Sequence, residues 1–204
     1  MISLQFLLTA LVVVIAPGTG VIYTLAVGLG QGRRAAILAA LGCTIGIVPH
    51  LLAASLGLAA ILHTSAVAFQ VVKFAGVGYL LYLAWQMLKS DGALSVSARA
   101  NPEPSWAIAR RAALINILNP KLSIFFLALL PPFLSGNAAS AQFEMLVLGS
   151  VFMALTFVVF AGYGAFAAAT RDHLLSKTAV LRWLNRGFAG VFAALAARLA
   201  FEKA

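Results

Sequence analysis

The sequence predicts an all-α integral membrane protein of six transmembrane helices, arranged as a 3+3 inverted repeat with a broken first helix in each half. Three observations predict it. Apolar residues make up 63% of the 204 and charged residues only 9%, with a mean hydropathy of +1.02, and so little charge cannot cover a soluble surface of this length. The apolar residues fall into runs that reach the ~20 residues needed to cross a ~30 Å hydrocarbon core. The first run of each half is interrupted by proline at a matching place, Pro17 in one and Pro120 in the other.

The runs span residues 3–29, 35–62, 66–88, 112–134, 145–170 and 179–201. The last is the weakest, because Arg182 and Arg186 open it and Arg198 lies near its end. Snorkelling of those side chains to either interface makes it viable. No linker is long enough to hold a second domain. Residues 1–204 therefore read as one membrane domain, with half repeats over about 1–90 and 107–204 and a polar loop over about 89–106. Residues 1–29 are expected to be a span and not a signal peptide, since they lack a basic start and their apolar run is too long.

Charge sets the expected orientation. Arg33, Arg34, Lys89, Arg99, Arg110, Arg111, Arg171, Lys177, Arg182 and Arg186 flank the first, third and fifth loops, whereas the second and fourth carry no Lys or Arg. Basic loops stay on the cytoplasmic side. Both termini are thus expected in the periplasm of a bacterial inner membrane. The net charge of +9 reads as this topology signal. A nucleic-acid surface would gather its basic residues on one amphipathic face, interleaved with aromatics.

The halves carry a faint internal match. Leu11-Val12-Val13-Val14-Ile15-Ala16-Pro17 parallels Leu114-Ile115-Asn116-Ile117-Leu118-Asn119-Pro120, and Phe74-Ala75-Gly76-Val77 parallels Phe188-Ala189-Gly190-Val191, in the same order. Proline removes a backbone donor and clashes with the carbonyl four residues earlier. A helix broken at membrane depth survives only where protein or a water-filled cavity satisfies the released backbone groups. Paired breaks in the two halves point to a transporter binding site, where released amides suit a carboxylate and released carbonyls an ammonium. Packing kinks are the alternative reading.

Ionisable side chains inside spans are costly and point to function. Lys121 follows the second break directly and can share its cavity. Lys73 stands about seven residues inside the third run and reads equally as functional or as snorkelling outward. His50, after Pro49, could relay a proton near neutral pH or simply bond a neighbouring helix. Gly42-x-x-x-Gly46 with Ala53 and Gly57 forms a small-residue stripe for close helix packing. Tyr23, Tyr79 and Tyr82 stand on pocket-capable helices, though tyrosines near helix ends usually form interfacial belts. Glu144 is expected to be a solvated end residue, leaving no Asp or Glu within a span. Cys43 is alone, so no intramolecular disulfide and no cysteine metal site is expected. No metal centre, cofactor, nucleotide loop or catalytic cluster is legible, so any active transport would draw on an ion gradient.

Taken in order, Pro17-Gly18-Thr19-Gly20, Gln31-Gly32-Arg33-Arg34, Lys73-Phe74-Ala75-Gly76 with Tyr79, Asn116 to Lys121, and Phe125-Phe126 leading to Pro131 resemble the lysine exporter (LysE/RhtB) family of bacterial amino-acid exporters over nearly the whole chain. The resemblance implies export of amino acids or related metabolites, driven by the proton motive force, by a homodimer. The family usually continues Pro-Gly with a second proline and Asn or Asp, where Thr19 and Gly20 stand here. Some members carry an acidic residue after the glycine of the second span, where Ile47 stands here. Both departures favour a small, neutral or apolar substrate over lysine.

The resulting expectation is an inner-membrane exporter of small zwitterionic metabolites. Pro17, Gly18, Thr19, Gly20, Asn116, Asn119, Pro120 and Lys121 would form its midplane site, His50 would carry the coupling proton, and Lys73 and Tyr79 would be further membrane-embedded groups. Substrate and lipid bilayer are its expected partners. The alternatives are a metal-ion or drug exporter on the same fold, an intramembrane lipid-modifying enzyme, and an uncoupled pore or scaffold.

Overall fold

A computed structural model describes residues 2–64, 66–89, 104–170 and 178–201, and every regular element among them is helical. The first apolar run folds as α1 (Leu4–Ile15) and α2 (Thr19–Gln31), bent by 56° at the break between them. Ser3 caps α1 by accepting from the Phe6 N–H at 3.1 Å, a bond that satisfies one of the orphan donors of a helix start. Gly32, at φ 86°, turns the chain into α3 (Arg33–Ile45). A turn at Gly46 and Ile47 passes into α4 (Val48–Thr64) without breaking the span, and α5 (Ala66–Lys89) follows.

The second half opens with the same device. Helices α6 (Ser105–Ile117) and α7 (Pro120–Ile124) meet at a break. A π-helical turn over Phe125–Leu129 and a 3₁₀ turn over Pro131–Phe133 continue α7, and the pair is bent by 51°. Helix α8 (Ala138–Ala169) starts at Asn137, whose Oδ1 accepts from the Ala139 N–H at 3.0 Å, and α9 (Thr178–Phe201) ends the described chain.

Two helices, Arg33–Gly57 and Ala139–Ala169, are long and apolar enough to cross a membrane, and counting each bent pair as one span makes four among the described residues. The outside is apolar as a lipid-facing surface must be. Leu4, Leu56, Leu118, Val158 and Phe166 are exposed, and in water so much bare apolar surface would aggregate. Inside, Phe125 stacks on Phe152 with ring centroids 4.1 Å apart, and Phe126 meets the same ring edge-on at 5.5 Å. Buried Thr24, Thr44 and Thr156 each return their hydroxyl to the carbonyl four residues earlier, at 2.8–2.9 Å, which satisfies a hydroxyl without a partner helix.

The small-residue stripe brings α3 onto α6. A Cβ on Gly42 would meet the Ala109 carbonyl and one on Gly46 the Ala113 carbonyl, so only glycine permits this approach. The stripe is shorter than the sequence suggests: Ala53 is exposed and nothing described lies within 4 Å of a Cβ on Gly57.

Glu144 needs a larger correction. It is only 5% exposed, and its carboxylate accepts from the Ser135 N–H (2.7 Å), the Ser135 hydroxyl (2.6 Å) and the Ser140 hydroxyl (2.6 Å). Because α8 starts at Ala138, Glu144 lies within the helix, in the stretch apolar enough to span. It clasps the preceding segment to the first turns of α8, so it is a buried, hydrogen-bonded residue and not the solvated one expected. Arg99, Arg171 and Lys177 lie outside the described residues, as do the side chains of Lys73, Arg182 and Arg198.

Candidate functional site

The two breaks release carbonyls from their helices, and side chains from other helices take up three of them. At the first, Pro17 has no N–H to give back to α1, and the chain leaves helical geometry until Gly18 caps α2 without a side-chain bond. The Ile15 carbonyl accepts instead from the Tyr163 hydroxyl of α8 at 3.0 Å. The Ala16 carbonyl accepts from Lys121 Nζ at 2.9 Å. A cation from the second break thus closes the backbone of the first.

At the second break, the residue four beyond Asn116 is Pro120, which has no N–H for the Asn116 carbonyl. That oxygen takes the Asn119 N–H at 3.0 Å and His50 Nε2 at 2.9 Å. A carbonyl can only accept, so Nε2 carries the hydrogen. In neutral His50, Nδ1 then accepts from the Ser123 hydroxyl at 3.0 Å. Asn119 caps α7, its Oδ1 accepting from the Lys121 N–H at 3.0 Å, with Pro120 at the first helical position, where a missing N–H costs nothing.

Between the breaks lies a cavity with about 20 Å³ of water-accessible space, room for about one water molecule. Its polar lining is Asn116, Asn119, Lys121 and Thr156, together with the backbone of Gly18 and Gly20. Val13, Val14, Val21, Leu122, Phe152 and Phe160 supply the apolar walls. Asn116 is 2% exposed; its Nδ2 donates to the Cys43 carbonyl at 2.7 Å, and its Oδ1 has no donor among the described residues.

Gly18, Gly20, Asn116, Asn119 and Lys121 therefore meet at one cavity. Pro17 is half-buried, while Thr19 and Pro120 are exposed, and these three shape the breaks without lining the cavity. His50 sits behind it, joined through the Asn116 carbonyl. Tyr79 on α5 packs its ring 5.9 Å from that of Tyr82, away from the lining. Missed from the sequence were Ser123, Tyr163 and the α8 wall. Phe152, Thr156 and Phe160 recur every four residues, which places them on one helix face, and Thr156 in an otherwise apolar run was the available signal.

A membrane domain whose two broken helices converge on a small, largely apolar cavity with a few polar groups has the architecture of a transporter. The chain belongs to the LysE type translocator family, whose model matches residues 11–203. It is 32% identical to an uncharacterized membrane protein of Vibrio cholerae over 201 residues, 98% of this chain and 97% of that one. It is 29% identical to a homoserine/homoserine lactone efflux protein of Salmonella typhimurium, covering 96% of this chain and 94% of that one. It is 32% identical to a leucine efflux protein of an Enterobacter species, covering 96% and 93%. No solved structure matches it. The chain is thus a membrane translocator and not an enzyme.

Proposed function

We propose that this protein exports small, neutral amino acids across a bacterial inner membrane in exchange for protons, using the cavity between its two helix breaks. The observation that carries the proposal is Lys121, whose ammonium stands in that cavity against the Ala16 carbonyl. It is the group that meets the substrate carboxylate, exchanging a neutral carbonyl partner for an ionised one and so adding the attraction of opposite charges to the hydrogen bond. The apolar walls suit an aliphatic side chain, in keeping with relatives named for leucine and homoserine efflux. An amino acid is larger than the space present, so binding requires the halves to rock apart and alternate access. Bends of 56° and 51° at corresponding breaks support the inverted repeat. Helices α5 and α9, 24 residues each, are ~36 Å long and bring the proposed span count to six. The proposed assembly is a homodimer, which crosslinking in native membranes reads directly.

The test is efflux from proteoliposomes loaded with leucine or homoserine under an imposed pH gradient, beside metabolite analysis of medium from deletion and overexpressing strains. Gradient-stimulated efflux of either compound is expected. Loss of neither from the vesicles, with unchanged medium, would overturn the substrate class.

A further inference from the structure

We propose that Asn116 Oδ1, with Gly20 beside it, is the subsite for the substrate's α-ammonium group, so that the substrate lies with its ammonium toward α6 and its carboxylate toward Lys121. The inference rests on the transport reading above and gives that site a polarity.

The acceptor is an unusual one. Asn116 is almost completely buried, and a buried carbonyl oxygen without a donor leaves its lost hydration uncompensated. Its orientation is not arbitrary. The amide nitrogen must face the Cys43 carbonyl at 2.7 Å, since an oxygen there would set two acceptors against each other. The oxygen is thereby turned toward Gly20, and both residues line the cavity. Its approach to α2 exists because residue 20 is glycine: a Cβ there would stand 2.6 Å from Oδ1, 3.0 Å from Phe160 Cε2 and 3.3 Å from Cys43 Sγ.

The second pole lies two residues away along the same backbone. A Cβ on Gly18 would stand 3.7 Å from Lys121 Nζ, and two residues span at most ~7 Å. The lining of one cavity therefore holds an acceptor beside Gly20 and a cation beside Gly18, two residues apart on one backbone. An α-amino acid carries a donor cation and an acceptor anion on one carbon, which is the complementary arrangement. The reverse orientation would set ammonium against ammonium at Lys121. A compound without an ammonium would leave Oδ1 without a donor, and a site that expects a hydrogen bond discriminates strongly against the analogue lacking it.

The experiment is competition for counterflow of labelled leucine in proteoliposomes by three unlabelled analogues. 4-Methylpentanoate lacks the ammonium, N,N,N-trimethylleucine keeps the charge but has no N–H, and leucinol lacks the carboxylate. Wild type should prefer leucine over the first two by on the order of 10- to 100-fold, the span of one hydrogen bond to a charged group. In Asn116→Ala the leucine to 4-methylpentanoate preference should fall to within about threefold, while discrimination against leucinol persists. Gly20→Ala, whose methyl would stand 2.6 Å from Oδ1 and force the amide aside, should shift the same ratio in the same direction. An unchanged ratio in both variants overturns the subsite. Should neither variant fold, trimethylleucine competing with wild type as well as leucine does overturns it alone. Absence of both leucine and homoserine counterflow in wild type instead overturns the transport reading, and the subsite with it.

Discussion

Pro120 acts on two residues at once. It opens α7 at the one position where a missing N–H is harmless, and it denies a donor to the Asn116 carbonyl, which His50 then supplies. Lys121, next in sequence, reaches the Ala16 carbonyl of the other break. From this placement, Lys121→Ala and Asn119→Ala should abolish export while protein abundance in the membrane stays near wild type, read by efflux assay beside immunoblotting. Export at the wild-type rate in either would remove α7 from the site. His50 bridges the Asn116 carbonyl and Ser123 with both ring nitrogens, so a proton added at Nδ1 would keep the Nε2–H bond to the backbone of a cavity residue and reverse the bond to Ser123, whose hydroxyl oxygen would then accept. His50→Gln is expected to retain leucine counterflow and to lose accumulation driven by a pH gradient. Ser123→Ala, which removes the donor to Nδ1, should shift the pH profile of transport and leave counterflow in place. Full gradient-driven transport in His50→Gln would mean that the histidine only packs.

The elements meet where small residues allow it. Gly42 and Gly46 bring α3 against the carbonyls of Ala109 and Ala113, and α6 carries Asn116 into the cavity from that contact. Gly42→Val should therefore separate α3 from α6 and cost on the order of 1–3 kcal/mol, the usual penalty of overpacking. Thermal unfolding in detergent reads the loss, and an unchanged midpoint would show that the interface yields. The clasp at the start of α8 is a different kind of joint. Glu144 holds the segment after the 3₁₀ turn to α8 through Ser135 and accepts from Ser140 one turn back on its own helix, and that 3₁₀ turn continues α7 and the Lys121 segment. How much of this was legible depends on the kind of signal. The breaks were legible because proline acts on its own backbone. Glu144 was misread because a carboxylate beside a helix end looks solvated until the turn folds over it. Ser123 and Tyr163 carry no local signal, since a hydroxyl in an apolar run usually bonds back within its own helix.

For the molecule as a whole, the basic residues argue for cytoplasmic first, third and fifth loops. Reporter fusions or cysteine labelling at positions 33, 97 and 177 should report the cytoplasm, and both termini the periplasm. A cytoplasmic C-terminus would leave an odd number of spans and remove the inverted repeat. That topology matters for energetics. A zwitterion leaving the cell gains nothing from the membrane potential, whereas one inward proton gains roughly 2.3 kcal/mol per 100 mV. Exchange is therefore the economical coupling for a neutral substrate.

The amino-acid sequence by itself determined that this chain lives in a bilayer, that its first and fourth apolar runs break, and which side its basic loops favour. Each of these follows from hydropathy, from proline's missing N–H or from the distribution of charge, all properties of a residue and its near neighbours. Only the tertiary structure decided that the two breaks face each other, that Lys121 closes the Ala16 carbonyl across 105 residues of sequence, and that Asn116 turns a buried oxygen toward Gly20. Those facts depend on where α3, α6 and α8 pack, and packing is set by side chains far apart in the chain that meet only once it has folded.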